Sequence, residues 1–184
     1  AMTSRTRPRN RRSQLAYEPK KPIIEMIRTE DNPAFRLTIN PRVCHISTDE
    51  MTRLLDDANR MFLHSLFGTK WKRRKSPLTI LCPEIESRRS SGNQPQLLHY
   101  HGCVWTSHKR ILFRYRAGGF GSIVRNLIHK RFQTQSFPTI KVQEFDPTKS
   151  WMTYATKNYG KGFDDEDTYV FGQVRSGLRR HPIL

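Results

Sequence analysis

The nine residues from Leu97 to Trp105, LLHYHGCVW, place the strongest constraint on how this chain can fold. The run is apolar and partly aromatic, and turn-forming residues precede it, which predicts a β-strand. Because side chains alternate between the faces of a strand, His99 and His101 point the same way, with their Cα atoms about 6.6 Å apart. Two imidazoles so placed can bind one divalent cation, although paired histidines in a strand can also serve packing alone.

A second strand is predicted from Leu78 to Glu86, followed by a polar loop with Gly92-Asn93 at its middle. A hairpin centred between those two residues puts Glu86 opposite His99 and Glu84 opposite His101. Both carboxylates then lie on the same face as the histidines, where a hard divalent cation favours oxygen ligands. We take Glu86 as the third ligand and Glu84 as its alternative, because Pro83 and the loop length leave the register open.

The remaining elements follow from hydrophobic periodicity and capping signals. Ser47 and Glu50 form a capping box ahead of a helix that runs to about Phe67 and stops at Gly68. The further predictions are strands at 35–39, 139–145 and 169–171 and helices at 120–128 and 146–159. The order β-α-β-β-α-β-α predicts an α+β fold, a central antiparallel sheet with helices packed on it, ferredoxin-like or RRM-like.

The strong positive charge identifies the class of partner. The formal net charge is +17 and the pI is about 10.4, which favours a polyanion, and nucleic acid before a membrane. Residues 1–22 carry seven basic side chains and one acidic one, so we expect a disordered basic arm followed by one domain at 23–184. No apolar run is long enough to span a bilayer, and with no secretory segment we expect an intracellular protein, with the three cysteines reduced in the core.

Candidate nucleic-acid contacts are basic residues close to aromatic ones. They comprise a basic loop with a tryptophan inside it, two arginines of an alternating basic and apolar stretch, and one lysine near the predicted last helix: Lys70, Trp71, Lys72, Arg73, Arg74, Arg114, Arg116 and Lys161. A solvated charge run is the alternative interpretation of the loop.

Tyr154 and Lys157 lie three residues apart on the predicted helix and therefore share a face. A tyrosine with its ordinary pKa near 10 is a poor nucleophile, and it becomes effective when a cation lies beside its oxygen. Such a pair alone is common on helices and carries little information.

Taken together, these motifs resemble the HUH endonucleases, the family of rolling-circle replication initiators and relaxases. Phe35 to Pro41 (FRLTINP) is similar to the first strand motif of that family, His99-Tyr100-His101-Gly102 to its His-hydrophobe-His motif, and Tyr154-Ala155-Thr156-Lys157 to its single-tyrosine motif. The resemblance covers about residues 33–160.

The resemblance implies a specific chemistry and set of partners. His99, His101 and Glu86 would hold Mg²⁺ or Mn²⁺, and Tyr154 would cut single-stranded DNA, or a DNA hairpin at an origin, through a 5′-phosphotyrosine link. Lys157 would support the phenolate, while Tyr159 is expected to pack or to contact DNA. Replication initiators of this family often carry a helicase domain, yet the chain contains no GxxxxGK[ST] motif. We therefore expect either a nuclease fragment of a longer protein or a compact stand-alone member, with a helicase or another replication protein as a candidate partner. The compartment would be the cytoplasm of a bacterial host or the nucleus of a eukaryotic one.

The main alternative is a non-catalytic RRM-like nucleic-acid-binding module. It would explain the charge and the element order. RRM domains, however, carry aromatic residues on their binding strands in a K/R-G-F/Y-G/A-F pattern, and no such run occurs here.

Overall fold

The computed structural model describes residues 32–44, 46–74, 76–86, 97–133, 137–148, 151 and 167–172. Within these residues the fold is a five-stranded antiparallel sheet with three helices packed on it. The strands are β1 (Phe35–Asn40), β2 (Leu78–Glu86), β3 (Leu97–Trp105), β4 (Thr139–Glu144) and β5 (Tyr169–Phe171), and the helices are α1 (Thr48–Phe67), α2 (Lys109–Arg116) and α3 (Gly119–Phe132). A 3-10 helix, Gly68–Arg73, follows α1 directly.

The strand order is β4-β1-β3-β2-β5, and every neighbouring pair is antiparallel. β3 is therefore inserted between β1 and β2, which α1 connects, in the split β-α-β arrangement of ferredoxin-like folds. The predicted α+β fold with a central antiparallel sheet is confirmed. β3 is the middle strand of five, so its side chains are covered by neighbours on both sides.

α1 begins and ends where the sequence predicts. The Ser47 side chain accepts a hydrogen bond from the Glu50 amide at 3.1 Å, and the Glu50 carboxylate accepts one from the Ser47 amide at 3.0 Å, which completes the capping box. At the other end Gly68 has a φ of 58°, a conformation that favours glycine. The helical spacing of the apolar residues predicts one buried stripe, and its members are buried except for Met61, which is 50% exposed: Met51, Leu54, Leu55, Ala58, Met61 and Phe62.

The two faces of the sheet have different roles. One face carries the main core, in which Leu37, Tyr100 and Val104 pack against apolar side chains of α1, α2 and α3. The other face has a smaller buried cluster at one end, formed by Leu78, Ile80, Cys103 and Trp105. Because strand side chains alternate, the odd-numbered residues of β3 all belong to this second face.

Two elements differ from the sequence interpretation or extend it. Residues 109–116 form α2, which buries Ile111 and Tyr115, whereas their alternating pattern gave no helix prediction. The predicted short strand at 169–171 is present as β5, and the Tyr169 hydroxyl donates to Asp56 at 3.1 Å and accepts from the Asn59 amide at 3.0 Å. Among the described residues, no helix is long and apolar enough to cross a membrane.

Cysteine burial agrees with the sequence interpretation for two of the three residues. Cys82 and Cys103 are buried, whereas Cys44 is exposed, and none of the three forms a disulfide. The expectation that Cys44 lies in the core is therefore wrong, because the chain forms only an isolated bridge to Leu97 at this point rather than a covered strand.

Candidate metal centre

The histidine pair lies where the sequence predicts, in the middle of β3, and both imidazoles are on the face opposite the helices. The pairing of β2 with β3 puts Glu84 opposite His99 and Cys82 opposite His101. The predicted register is therefore wrong by two residues. A shift of two keeps the same face, so a glutamate still lies beside the histidines.

Glu84, and not Glu86, is the carboxylate that the structure brings to the histidines. Glu86 pairs with Leu97, two residue pairs beyond the pair of Glu84 with His99 and away from His101. The choice of Glu86 as third ligand rested on the wrong hairpin centre and is corrected here to Glu84, the alternative that the sequence left open.

One oxygen of Glu84 lies between the two imidazoles. Its Oε2 is 3.2 Å from Nε2 of His99 and 3.1 Å from Nε2 of His101. The three groups offer ligand atoms that all lie within 4.8 Å of one another. Two ligand atoms each about 2.1 Å from one metal ion, at an angle of 90° to 109°, are about 3.0–3.4 Å apart. The two distances from Glu84 Oε2 to the imidazole nitrogens fit this range, and they also fit a protonated imidazole bound to a carboxylate.

The burial of these three side chains favours a metal site over an ion pair exposed to solvent. His99 and His101 are 7% and 5% exposed, and Glu84 lies beside them in β2. Buried charged groups require compensation, which a divalent cation would provide for the carboxylate while the imidazoles stay neutral. Among the described residues, Nδ1 of His99 has no hydrogen-bond partner.

The second nitrogen of His101 is held by the neighbouring strand. Thr38 of β1 pairs with His101, and its Oγ1 lies 3.2 Å from Nδ1. Metal-binding histidines commonly donate their other N–H to such an outer partner, which fixes the ring orientation and leaves the first nitrogen free for the ion. Thr38 belongs to the FRLTINP motif, so the structure gives that motif a physical connection to the histidine pair.

Trp151 completes the surroundings of His101, and sequence reasoning did not select it. The indole Nε1 donates to the carbonyl oxygen of Gly102 at 3.2 Å, and the ring lies edge-on to His101 with centroids 5.5 Å apart. The guanidinium carbon of Arg36 lies 5.3 Å from the Trp151 ring centre, within the range of a cation–π contact. No local sequence signal indicates this contact, because it joins residues far apart in the chain.

Gly102 permits an unusually close approach of β2 to β3. A Cβ atom added at this position would overlap the carbonyl oxygen of Ile80 and would lie 2.8 Å from the Ile80 carbonyl carbon and from Cα of Leu81. Only glycine therefore fits between His101 and Cys103. The glycine of the His-Tyr-His-Gly motif has a structural reason in this chain.

Seven of the eight predicted nucleic-acid contacts fall within the described residues, on the 3-10 helix, its cap and α2 rather than on the strands that carry the metal centre. The 3-10 helix after α1 contains Lys70, Trp71, Lys72 and Arg73, and Arg74 is its C-cap residue. Arg114 and Arg116 lie on α2, where Arg116 forms an ion pair with Glu144 at 2.7 Å. Tyr154, Lys157, Tyr159 and Lys161, like the arm at 1–22, lie outside the described residues.

The helix predicted from Asp146 is described only in part. The Asp146 carboxylate accepts hydrogen bonds from the amide and hydroxyl of Thr148, as an N-cap residue would, and Trp151 has helical backbone.

Comparison with known proteins does not identify a relative. The chain matches no family model, no curated protein and no solved structure.

Proposed function

We propose that this protein is a metal-dependent DNA nicking and strand-transfer enzyme that uses Tyr154 as its nucleophile, as the HUH motifs suggest. The observation that carries the proposal is the buried group of Glu84, His99 and His101 on the middle of the sheet. It has the composition and spacing of a divalent metal site, in a chain of net charge +17 that favours DNA.

Three side chains of this protein would bind the metal ion. Nε2 of His99, Nε2 of His101 and one oxygen of Glu84 would hold Mg²⁺ or Mn²⁺, and the ion would supply polarisation of the scissile phosphate. Mixed nitrogen and oxygen ligands favour Mn²⁺ over Mg²⁺, since Mg²⁺ prefers oxygen alone. Thr38 would keep the ring of His101 in its binding orientation.

Trp151 supports the choice of Tyr154 as nucleophile. Its ring contacts His101, and Tyr154 follows three residues later. Three residues of extended chain span at most about 11 Å, so a tyrosine three positions after Trp151 is near enough along the chain to be compatible with attack at a phosphate held by the imidazoles. A nucleophile must reach the atom it attacks before its pKa matters.

The proposed reaction is a transesterification. The Tyr154 oxygen would form a bond to the scissile phosphorus while the bond from phosphorus to the 3′-oxygen breaks. The phenol gives up its proton and the departing oxygen takes one to become a 3′-hydroxyl. Lys157 would favour the phenolate by its charge. The phosphodiester count is unchanged, so attack by a 3′-hydroxyl can reverse the step and rejoin a strand.

The RRM-like alternative receives less support from the geometry. An RRM binds bases on exposed aromatic side chains of its central strands. Here the corresponding face of β3 is buried and carries His99 and His101. Imidazoles beside a carboxylate suit a cation better than a stacked base.

The test is a covalent-trapping assay. Single-stranded oligonucleotides with a randomised interior and a 3′ label are incubated with the protein and Mn²⁺, then run on a denaturing gel. We expect a labelled protein band that disappears with Tyr154→Phe and persists with the matched control Tyr159→Phe. Calorimetry with Mn²⁺ alone should show binding that Glu84→Gln weakens by more than the 10–100-fold typical of losing an outer partner. An adduct formed by Tyr154→Phe would refute the nucleophile.

A further inference from the structure

The helical side of the molecule carries a concentrated positive surface that the metal centre does not use. We call it the distal basic surface. It consists of exposed side chains from the 3-10 helix and its cap and from the first turn of α2: Lys70, Lys72, Arg73, Arg74, Lys109 and Arg110.

The two segments are adjacent in space although they are far apart in sequence. Phe67, the last residue of α1, lies against His108, the N-cap of α2, with ring centroids 5.0 Å apart. Trp71 packs against the main core, and Ile111 of α2 is part of that core. The 3-10 helix and the first turn of α2 therefore both begin beside the contact between Phe67 and His108.

No carboxylate neutralises this surface within the described residues. The sequence has no aspartate or glutamate from 58 to 83 or from 87 to 143. The nearest acid along α1, Asp57, is ten residues from Phe67, about 15 Å along the axis. The ion pair of Arg116 with Glu144 lies at the other end of α2. Six uncompensated charges in this small area attract phosphates.

The distal basic surface and the metal centre lie on opposite sides of the sheet. The 3-10 helix leads into Leu78 and α2 follows Trp105, two residues paired at one end of the hairpin. His101 and His99 are four and six residues further along β3, about 13–20 Å away, and on the other face. A short segment of single-stranded DNA bound at the metal centre therefore cannot also contact the distal basic surface.

We propose that the distal basic surface binds the phosphates of double-stranded DNA beside the site of cutting, where the choice of DNA rests on the proposed function. Single-strand binders combine charge with aromatic rings on which bases stack. Here Trp71 is half-buried and carries Lys72 near its face, with the ammonium 6.0 Å from the ring centre. Phe113 of α2 is 72% exposed and is one aromatic ring beside this surface. Six basic side chains around one exposed ring suit the high phosphate density of a duplex better than a row of stacked bases.

The test measures binding of a labelled, closed DNA duplex by fluorescence anisotropy across a series of salt concentrations in EDTA. It requires neither metal nor cutting, so it can fail while the nicking proposal stands. The variant is Arg73→Gln with Arg110→Gln. The matched control, Arg53→Gln with Lys130→Gln, removes the same charge from exposed positions on α1 and α3.

Loss of two phosphate contacts should make the slope of log K against log salt about two units shallower. At 0.1 M salt this corresponds to about 60-fold weaker binding. The control pair should stay within about threefold of the wild type. Equal weakening by both pairs would mean that net charge alone drives binding and would overturn the proposal. So would an unchanged slope in the variant, or tighter binding to an RNA duplex of the same sequence.

Discussion

Substituting Gly102 by alanine tests how far the stability of the fold depends on the close approach of β2 to β3. The added Cβ would meet backbone atoms of Ile80 and Leu81, two of them at 2.8 Å. Carbon atoms normally stay about 3.5–4.0 Å apart. A side chain could rotate away, but a backbone cannot, so the strands would have to separate by roughly 1 Å.

The cost follows from what lies around the glycine. Separation by that amount would lengthen the neighbouring ladder hydrogen bonds beyond useful range, and two such bonds are worth about 1–3 kcal/mol. Loosened packing around the buried Tyr100 and Cys103 adds about 1–3 kcal/mol. We therefore expect the free energy of unfolding to fall by about 3 kcal/mol or more. In urea this lowers the midpoint by about 1.5 M for a slope near 2 kcal/mol/M.

Gly121→Ala is the matched control for this measurement. Gly121 is also buried, but a Cβ there would lie 3.4 Å from Cγ2 of Ile140, an ordinary contact. Alanine is also the better helix former by about 1 kcal/mol, so this variant should be as stable as the wild type or more so. If Gly102→Ala unfolds within about 0.5 M urea of the wild type, the close approach of the two strands does not require glycine and the argument is refuted.

Two further predictions concern the metal centre and the thiols. Thr38→Val should weaken Mn²⁺ binding about 10–100-fold in calorimetry, because it removes the oxygen beside Nδ1 of His101; unchanged affinity would mean that this contact does not orient the ring. Iodoacetamide at pH 8, followed by peptide mass mapping, should label exposed Cys44 quickly and Cys103 slowly, since burial raises the pKa of the Cys103 thiol to about 12 and it stays protonated well above pH 8. Rapid labelling of Cys103 in the folded protein would contradict the burial of that face of β3.

The elements predicted best are those in which the hydrophobic periodicity and the capping or turn residues at the ends agree. β2 and β3 have the predicted bounds, and α1 ends where Gly68 allows it. In each case the apolar period and a terminal signal indicate the same residues. α2 was missed because Lys109–Arg116 is only eight residues long and its basic and apolar residues nearly alternate. Packing of Ile111 and Tyr115 against the core decides its conformation, and the sequence does not display that packing.

The candidate site was predictable in composition but not in detail. Because side chains alternate between the two faces of a strand, the sequence showed that His99 and His101 share a face of β3. The same alternation along β2 put a glutamate on that face. The identity of that glutamate depends on the register, which the polar loop between the strands does not fix. Trp151 was beyond reach for a different reason, since its contacts with His101 and Arg36 join segments separated by roughly fifty residues or more.

Because Gly102 has no side chain, it also influences which carboxylate of β2 lies beside the histidines. If β3 slid by two residues along β2 in either direction, Tyr100 or Val104 would occupy the narrow gap, and each brings a Cβ into the backbone of the adjacent strand. A slide by one residue would turn the imidazoles into the apolar core. Those alignments would require the strand separation of roughly 1 Å estimated for Gly102→Ala, so the observed alignment is favoured. A position that carries no functional group thus selects Glu84, rather than its neighbours on the same face of β2, as the acid of the metal centre.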